Sequence, residues 1–244
     1  MTGFVDPVLY QLAAGLYDVE SVRKAQANRL RILTATGVDS DGVSRGFGLA
    51  ADDPAVAVLE AQVEALAATE KALVKGLEKR LRLHPLHSWV KAQNGLGDKT
   101  VGRLLGSLGD PYWHDLHDRP RSIGELFAFC GVAGPGQRKQ RGQQVTWNPE
   151  LRMRLWNIVQ PIIKNRRSRY RTVYDAGRER YAEKLHTESC VRCGPKGKPA
   201  ESGSPWSDGH KHGAAMRLVM REILRDLWSE SRRLHGADEM KEAA

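Results

Sequence analysis

The sequence contains little cysteine and no long apolar run. Its 244 residues include three cysteines, and two of them, Cys190 and Cys193, form a C-x-x-C pair. This number excludes a disulfide framework and suits a reducing compartment. No stretch approaches the roughly 20 apolar residues of a membrane-spanning helix. The N-terminal segment lacks the basic start and the apolar run of a secretory signal. We therefore expect a cytoplasmic protein without a membrane partner.

Acidic residues are scarce in one part of the chain. Residues 137–180 contain twelve lysines and arginines and three acids, so this segment alone accounts for the net charge of +9. Charge of one sign in one segment is typical of a nucleic-acid-binding surface. A solvated basic face is the alternative interpretation. The candidate DNA-binding residues in this segment are Arg138, Lys139, Arg141, Arg152, Arg166, Arg167, Arg169 and Arg171.

Apolar residues recur at helical spacing through most of the sequence, which predicts a mainly all-α fold. Residues 7–36 and a second run from Pro54 to Pro85 predict two long helices, separated by a glycine- and aspartate-rich loop. Together, residues 1–85 predict a helical hairpin or coiled coil that serves as a scaffold or joins a homo-oligomer. Packing into one intramolecular core is the alternative. The polar segment 236–244 predicts a frayed tail.

The segment "SWVKAQNGLGDKTVGRLLGSLGD" predicts a helix-hairpin-helix between residues 88 and 110. Gly95 and Gly97 allow a tight turn and a close approach to a phosphate, and the unpaired amides of the next helix favour an anion. Lys99, Thr100 and Arg103 would add phosphate contacts from the first turns of that helix. An ordinary turn between two helices is the alternative.

Capping signals divide the basic half of the chain into further helices. Ser122 with Glu125 forms a capping box, Asn148 with Pro149 starts another helix, and Pro161 predicts a kink or a break in it. Cys130 stands among apolar residues and is interpreted as a core thiol. Aromatic residues are interleaved with the arginines and could stack bases, although core packing is favoured. These aromatic residues are Trp147, Trp156, Tyr170, Tyr174 and Tyr181.

One loop, "HTESCVRCGPKGKPAESGSPWSDGHKH", gathers metal-binding residue types between residues 186 and 212. Tetrahedral zinc prefers four thiolate or imidazole ligands. Cys190 and Cys193 with two of the three histidines His186, His210 and His212 would complete such a site. A redox C-x-x-C is disfavoured because no strand–helix context adjoins it. The loop therefore predicts a structural zinc site, with an incidental cysteine pair as the alternative.

The order of these segments resembles the C-terminal transposase domain of the DEDD-type insertion-sequence transposases, the bridge-RNA-guided recombinases. The resemblance runs from "GLGDKTVGRLLGSLGD" through "SIGELFAFCGVAGPGQRKQRGQQVTWNPELRMRLW" and an arginine-rich helix to "HKHGAAMRLVMREILRDLW". It covers residues 86–235 and implies that the hairpin and the Arg-Gly loop bind nucleic acid. It also implies that the zinc loop is an insertion within that domain.

The sequence departs from that family in two respects. The family carries an N-terminal nuclease domain with four acidic metal ligands, whereas residues 1–85 predict helices. The family's serine would stand in "GVAGPGQRKQRGQQV", which contains no serine. The nearest hydroxyl groups belong to Ser122, Thr146 and Ser168. We therefore expect no strand cleavage by this chain alone, and no catalytic residue is assigned.

Three functions agree with these patterns. The first is a transposase-like, nucleoid-associated DNA-binding protein of mobile-element or phage origin. RNA is an open alternative partner, because the resembled family uses a guide RNA. The second is a subunit of an active transposase or recombinase that needs a partner nuclease. The third is a protein-interaction scaffold clipped by zinc.

Overall fold

A computed structural model describes residues 3–134, 142, 144–191, 193–195 and 198–242, with side chains as far as Gly236. Eight α-helices and one two-stranded ribbon occur in these ranges, so the predicted all-α class is confirmed. The helices are α1 (Pro7–Thr34), α2 (Pro54–Leu81), α3 (His87–Ala92), α4 (Asp98–Leu108), α5 (Ile123–Phe129), α6 (Pro149–Ile162), α7 (Arg169–Arg180) and α8 (Asp208–Glu242). The ribbon pairs β1 (Trp113–His114) with β2 (Arg119–Pro120) in antiparallel register.

The first two helices form the predicted hairpin. Each begins with a proline in its first turn, and the preceding aspartate, Asp6 or Asp53, accepts hydrogen bonds from free amides of that turn. Ion pairs of 2.6 Å join Asp6 to Arg80 and Arg23 to Glu70. Asp6 precedes the first turn of α1 whereas Arg80 lies in the last turn of α2, so α1 and α2 run antiparallel.

A single apolar cluster connects the hairpin to the rest of the chain. Helix α4 contacts α1, α2 and α6, and its own core face is formed by Val101, Leu104, Leu105 and Leu108. The buried cluster extends from Leu9 of α1 through Ile158 of α6 to Val219 of α8. Each Å² of apolar surface removed from water contributes about 25 cal/mol to stability, so this cluster is the main source of stability. Within the described ranges no helix has the length and hydropathy needed to cross a membrane.

Several local predictions can be compared with this architecture. Helix α6 ends at Ile162, one residue after Pro161, and α7 begins at Arg169, so the structure has the predicted break and not the kink. Tyr170 is fully buried, as expected for a core aromatic residue, whereas Trp156 keeps 38% of its surface exposed. Helix α8 extends to Glu242, into the segment predicted to fray, because alanine, glutamate, methionine and lysine all favour helix.

A buried polar cluster fastens the two ends of the chain to its middle. Asp110 is fully buried and accepts hydrogen bonds from the Phe4 amide (2.9 Å), from Ser231 Oγ (2.6 Å) and from the backbone after it. His235 Nε2 lies 2.6 Å from Asp110 Oδ2, the oxygen that also accepts from the Phe4 amide. Burial alone would raise the pKa of Asp110, but hydrogen bonds led by that from Ser231 outweigh it and lower the pKa below 3.8.

We expect Asp110→Asn to lower the free energy of unfolding by about 3–5 kcal/mol at neutral pH, because it leaves buried groups without their charged partner. A depressed carboxyl pKa stabilises the folded state above pH 3.8, and this contribution disappears as the pH falls through the folded-state pKa. Wild-type stability should therefore decline in that acid range and the variant's should decline less. Urea unfolding across this range measures both effects.

The matched control is Asp39→Asn, which removes a carboxylate that pairs with Arg45 while 49% exposed. Its effect should stay within about 0.5 kcal/mol. Equal losses for the two variants would contradict the structural role assigned to Asp110.

Candidate metal centre and basic surface

The connection between α7 and α8 folds back on itself as an irregular antiparallel ribbon. Cys190 and Ala200 exchange two backbone hydrogen bonds of 2.8 Å, and the His186 amide donates to the Ser204 carbonyl at 2.8 Å. The Trp206 amide donates to Lys184 at 2.9 Å. These bonds align the outgoing and returning halves of the loop. They bring the C-x-x-C pair next to the start of α8, although sixteen residues separate Cys193 from His210 in sequence.

Four side chains converge where this ribbon meets α8. The ligand atoms of His186, Cys190, Cys193 and His210 all lie within 4.8 Å of one another. His210 Nδ1 is 3.2 Å from Cys193 Sγ and 3.8 Å from Cys190 Sγ. Metal–sulfur and metal–nitrogen bonds of zinc-site length place the corners of a tetrahedron about 3.3–3.8 Å apart. The group could therefore hold a metal ion with little rearrangement.

His186 is the histidine that lies with His210 in this cluster. It is 6% exposed, and its Nε2 atom is buried without a hydrogen-bond partner among the described residues. A buried imidazole nitrogen without a partner is costly. Coordination of a metal ion by the cluster would remove that cost.

His212 lies outside this group. Its Nδ1 atom is 2.8 Å from the hydroxyl of Tyr174 in α7, and its ring meets Trp156 edge to face. The sequence leaves His186 and His212 as alternatives, and the structure places His186 in the cluster. His212 instead connects the start of α8 to α7.

Neighbouring groups complement the sulfur atom of Cys193. The Ser207 amide lies 3.5 Å from Cys193 Sγ, and Ser207 Oγ lies 3.1 Å from the same sulfur. Ser207 directly precedes α8, whose N-terminal dipole favours a thiolate. The Trp206 ring stacks on His210 with centroids 3.9 Å apart and planes 1° apart, which fixes the imidazole orientation.

Two segments predicted separately to bind phosphate lie side by side. Gly95, in the turn between α3 and α4, has a φ of +100°. A Cβ atom there would lie 3.1 Å from Ser168 Oγ at the start of α7, so the close approach requires glycine. Asn165 Nδ2 donates to Asn94 Oδ1 at 2.9 Å, and Arg169 Nε donates to Gln93 Oε1 at 3.2 Å. The glycine turn and the arginine segment thus form one surface.

The two cations predicted to bind phosphate in the helix-hairpin-helix, Lys99 and Arg103, pair with an acidic residue. Lys99 Nζ and Arg103 Nη1 each lie 2.8 Å from the Glu20 carboxylate of α1. Arg103 is 12% exposed in this pair, and Lys99 also lies 3.7 Å from Glu70. The Thr100 hydroxyl donates to the Gly97 carbonyl. The predicted phosphate contacts of these side chains therefore compete with acidic partners within the protein.

The other arginines predicted to bind DNA differ in their surroundings. Arg169 pairs with Asp226, Arg171 pairs with Asp175 at 2.8 Å, and Arg152 lies over the Trp147 ring. Arg166 and Arg167 are exposed, and neither has a carboxylate partner in the part of the chain that the structure describes. Arg138, Lys139 and Arg141 lie outside the described residues.

The hydroxyl and thiol groups considered as nucleophiles belong to Ser122, Thr146, Ser168 and Cys130. Ser122 caps α5, where its Oγ accepts from the Glu125 amide at 3.2 Å. Ser168 is 1% exposed, and Thr146 is exposed in the loop before α6. Cys130 is fully buried, and burial raises the pKa of its thiol to about 12. Cys130 is therefore a neutral core thiol, as its apolar neighbours in sequence indicate.

Comparison with known proteins identifies no relative. No protein-family model matches the chain, and no curated protein or solved structure shows significant similarity to it.

We expect His186→Asn to lower the bound metal per chain strongly, because it removes one of four converging ligands. His212→Asn is the matched control, since it removes a histidine of the same segment that faces Tyr174. The control should retain its metal. Elemental analysis of the purified variants measures the content, and thermal unfolding checks that both remain folded. Metal loss from His212→Asn with full retention in His186→Asn would contradict the assigned ligand set.

Proposed function

We propose that the chain is a nucleic-acid-binding protein, with DNA as its partner, and that a structural zinc ion holds part of its basic surface in place. The observation that carries this proposal is the contact between the Gly95 turn and the start of α7. Two segments that the sequence predicts to bind phosphate meet there, the glycine turn and the arginine segment that precedes α7. RNA binding is the alternative with the same chemistry.

Two exposed arginines next to the glycine turn have no acidic partner among the described residues. Arg166 and Arg167 adjoin the Gly95 turn through Asn165 and Ser168, and both are exposed. Guanidinium groups bind phosphate through several donors at once. Lys99 and Arg103, by contrast, already share Glu20. Arg166 and Arg167 are therefore the side chains from which we expect the largest contribution to phosphate binding.

Zinc fits the ligand chemistry of the metal centre. Two thiolates and two imidazoles form a soft set that suits zinc and disfavours magnesium or calcium, which prefer oxygen. Four protein ligands fill a tetrahedral shell and leave no open position for a substrate. The ion would therefore be structural. Cobalt(II) offered to the metal-free protein should give the absorption of a tetrahedral thiolate site.

The proposed zinc ion would affect the basic surface through α7. The ribbon joins the end of α7 to the start of α8, and two contacts near it tie these helices together. Arg178 donates to Asp208 at 3.1 Å, and Tyr174 meets His212 at 2.8 Å. Fixing the ribbon would thus help to hold α7, which follows the proposed phosphate ligands Arg166 and Arg167.

The resemblance to transposases extends this proposal to the origin of the chain. It rests on the sequence alone. We keep a mobile-element origin as part of the proposed function, with strand cleavage assigned to a partner nuclease if it occurs. A covalent protein–DNA adduct trapped on a nicked substrate would identify an active recombinase subunit. Ser168 would then have to leave its buried position, because it is 1% exposed.

We expect duplex DNA binding to weaken steeply with salt, since each neutralised phosphate contributes about −0.9 to the slope of log K against log salt. The double variant Arg166→Gln, Arg167→Gln should reduce the magnitude of that slope by about 1–2 and weaken binding at low salt. Fluorescence anisotropy at several salt concentrations measures both quantities.

The control for this experiment is Arg29→Gln, which removes an exposed arginine of α1 whose side chain contacts Gln26. It should leave the slope unchanged. A wild-type slope near zero would contradict nucleic-acid binding. Tight binding to a protein partner at all salt concentrations would then favour the scaffold hypothesis.

A further inference from the structure

A groove lies between α7 and α8, apart from the metal centre and the glycine turn. Its volume is about 370 Å³, and its floor is formed by Val173 and Gly177 of α7 and by Leu218 of α8. The two helices approach closely here, because a Cβ atom on Gly177 would lie 3.0 Å from Leu218 Cδ1 and 3.1 Å from Ala215 Cα. The floor of the groove is therefore apolar.

Cations form the sides of this groove. Arg180 lies on α7, and Arg221 and Arg225 lie on α8, one turn apart and therefore separated by about 6 Å along the helix axis. Of the described residues that line the groove, only Glu222 is acidic. Three positive charges against one negative charge favour the binding of a polyanion.

Each arginine is placed differently by its surroundings. Arg221 donates through Nε and Nη2 to the carbonyls of Val132 and Ala133, at 2.5 and 2.6 Å, which orients the guanidinium and leaves its charge in place. Arg225 is 52% exposed and pairs with Glu222 within the same helix. Arg180 is exposed and lies over the Tyr181 ring at 5.8 Å.

We propose that the α7–α8 groove binds a single strand of nucleic acid, with its phosphates on Arg180, Arg221 and Arg225 and its bases against the apolar floor. The apolar floor offers contact to base faces, which a single strand exposes and a duplex hides. This inference rests on the proposed nucleic-acid function and adds the strandedness and the site.

The arrangement of charges on α8 supplies a matched pair of variants. Glu222 pairs with Arg225 inside the groove, and Glu230 pairs with Arg233 at the same three-residue spacing on the same helix. Glu230 and Arg233 do not line the groove. The same substitution at either pair therefore changes the net charge and the helix propensity of α8 by the same amount. The two pairs differ in whether they line the groove.

We expect Glu222→Gln to tighten binding of a labelled oligothymidylate by roughly two- to fivefold, because it removes the repelling charge and releases Arg225. Arg225→Gln and Arg180→Gln should weaken binding and each reduce the salt slope by about 0.7. Glu230→Gln and Arg233→Gln should leave both unchanged. Anisotropy titrations on the full chain measure the affinities, and circular dichroism confirms that the variants are folded.

Three results would overturn the inference. Groove variants that behave like the Glu230 and Arg233 controls would show that the strand binds elsewhere. Equal changes for the matching A·T duplex would show that the groove does not select single strands. Competition by polyglutamate as strong as that by the oligonucleotide at equal charge would show a surface for acidic polypeptides.

The same measurements separate this inference from the proposed function. If the groove variants have no effect and the Arg166, Arg167 double variant weakens binding, the groove proposal fails and the nucleic-acid function stands. If neither set of variants changes binding, both proposals fail.

Discussion

The ribbon between α7 and α8 is the part of the C-terminal half that the hydrophobic core does not order. This segment buries few apolar side chains, so the hydrophobic effect that orders the helical core contributes little to it. Its backbone hydrogen bonds, such as those between Cys190 and Ala200, join short facing segments. Four converging side chains at one end could supply the missing constraint, because a metal ion bound there would contribute its binding free energy only when the loop is folded.

The electrostatics of the molecule follow from which cations have acidic partners. The N-terminal hairpin neutralises Lys99 and Arg103 through Glu20, and this pairing fastens α1 to α4. Exposed arginines remain around the start of α7 and along the α7–α8 groove. Residues 137–180, which account for the net charge of +9, include the exposed arginines that precede α7. Helix α7 connects these arginines to the ribbon that contains three of the candidate metal ligands.

Sequence patterns predict the helices well, because proline and aspartate caps and apolar periodicity are local signals. The capping box at Ser122 and the cap at Asn148 are both present in the structure. The convergence of Cys190, Cys193 and His210 is also predictable, since the C-x-x-C pair and a following histidine are typical of zinc sites. These features depend on residues close together in the chain.

Features that depend on distant residues could not be predicted. Whether His186 or His212 joins the cluster is decided by the backbone pairing of His186 with Ser204 and by the contact of His212 with Tyr174. The partner of Lys99 and Arg103 is Glu20, about 80 residues away, as the sequence separations of 79 and 83 show. The bond between Asn165 and Asn94, which aligns the glycine turn with α7, spans 71 residues. Such pairs carry no local signal.

The measurement that tests the central claim most directly is a zinc titration of the chelated full-length protein, followed by circular dichroism and by anisotropy of labelled DNA. The account predicts that one zinc ion per chain restores both the ordered ribbon and the salt-dependent DNA affinity, with the same midpoint for the two signals. DNA affinity that is unchanged between the metal-free and the zinc-loaded protein would contradict it.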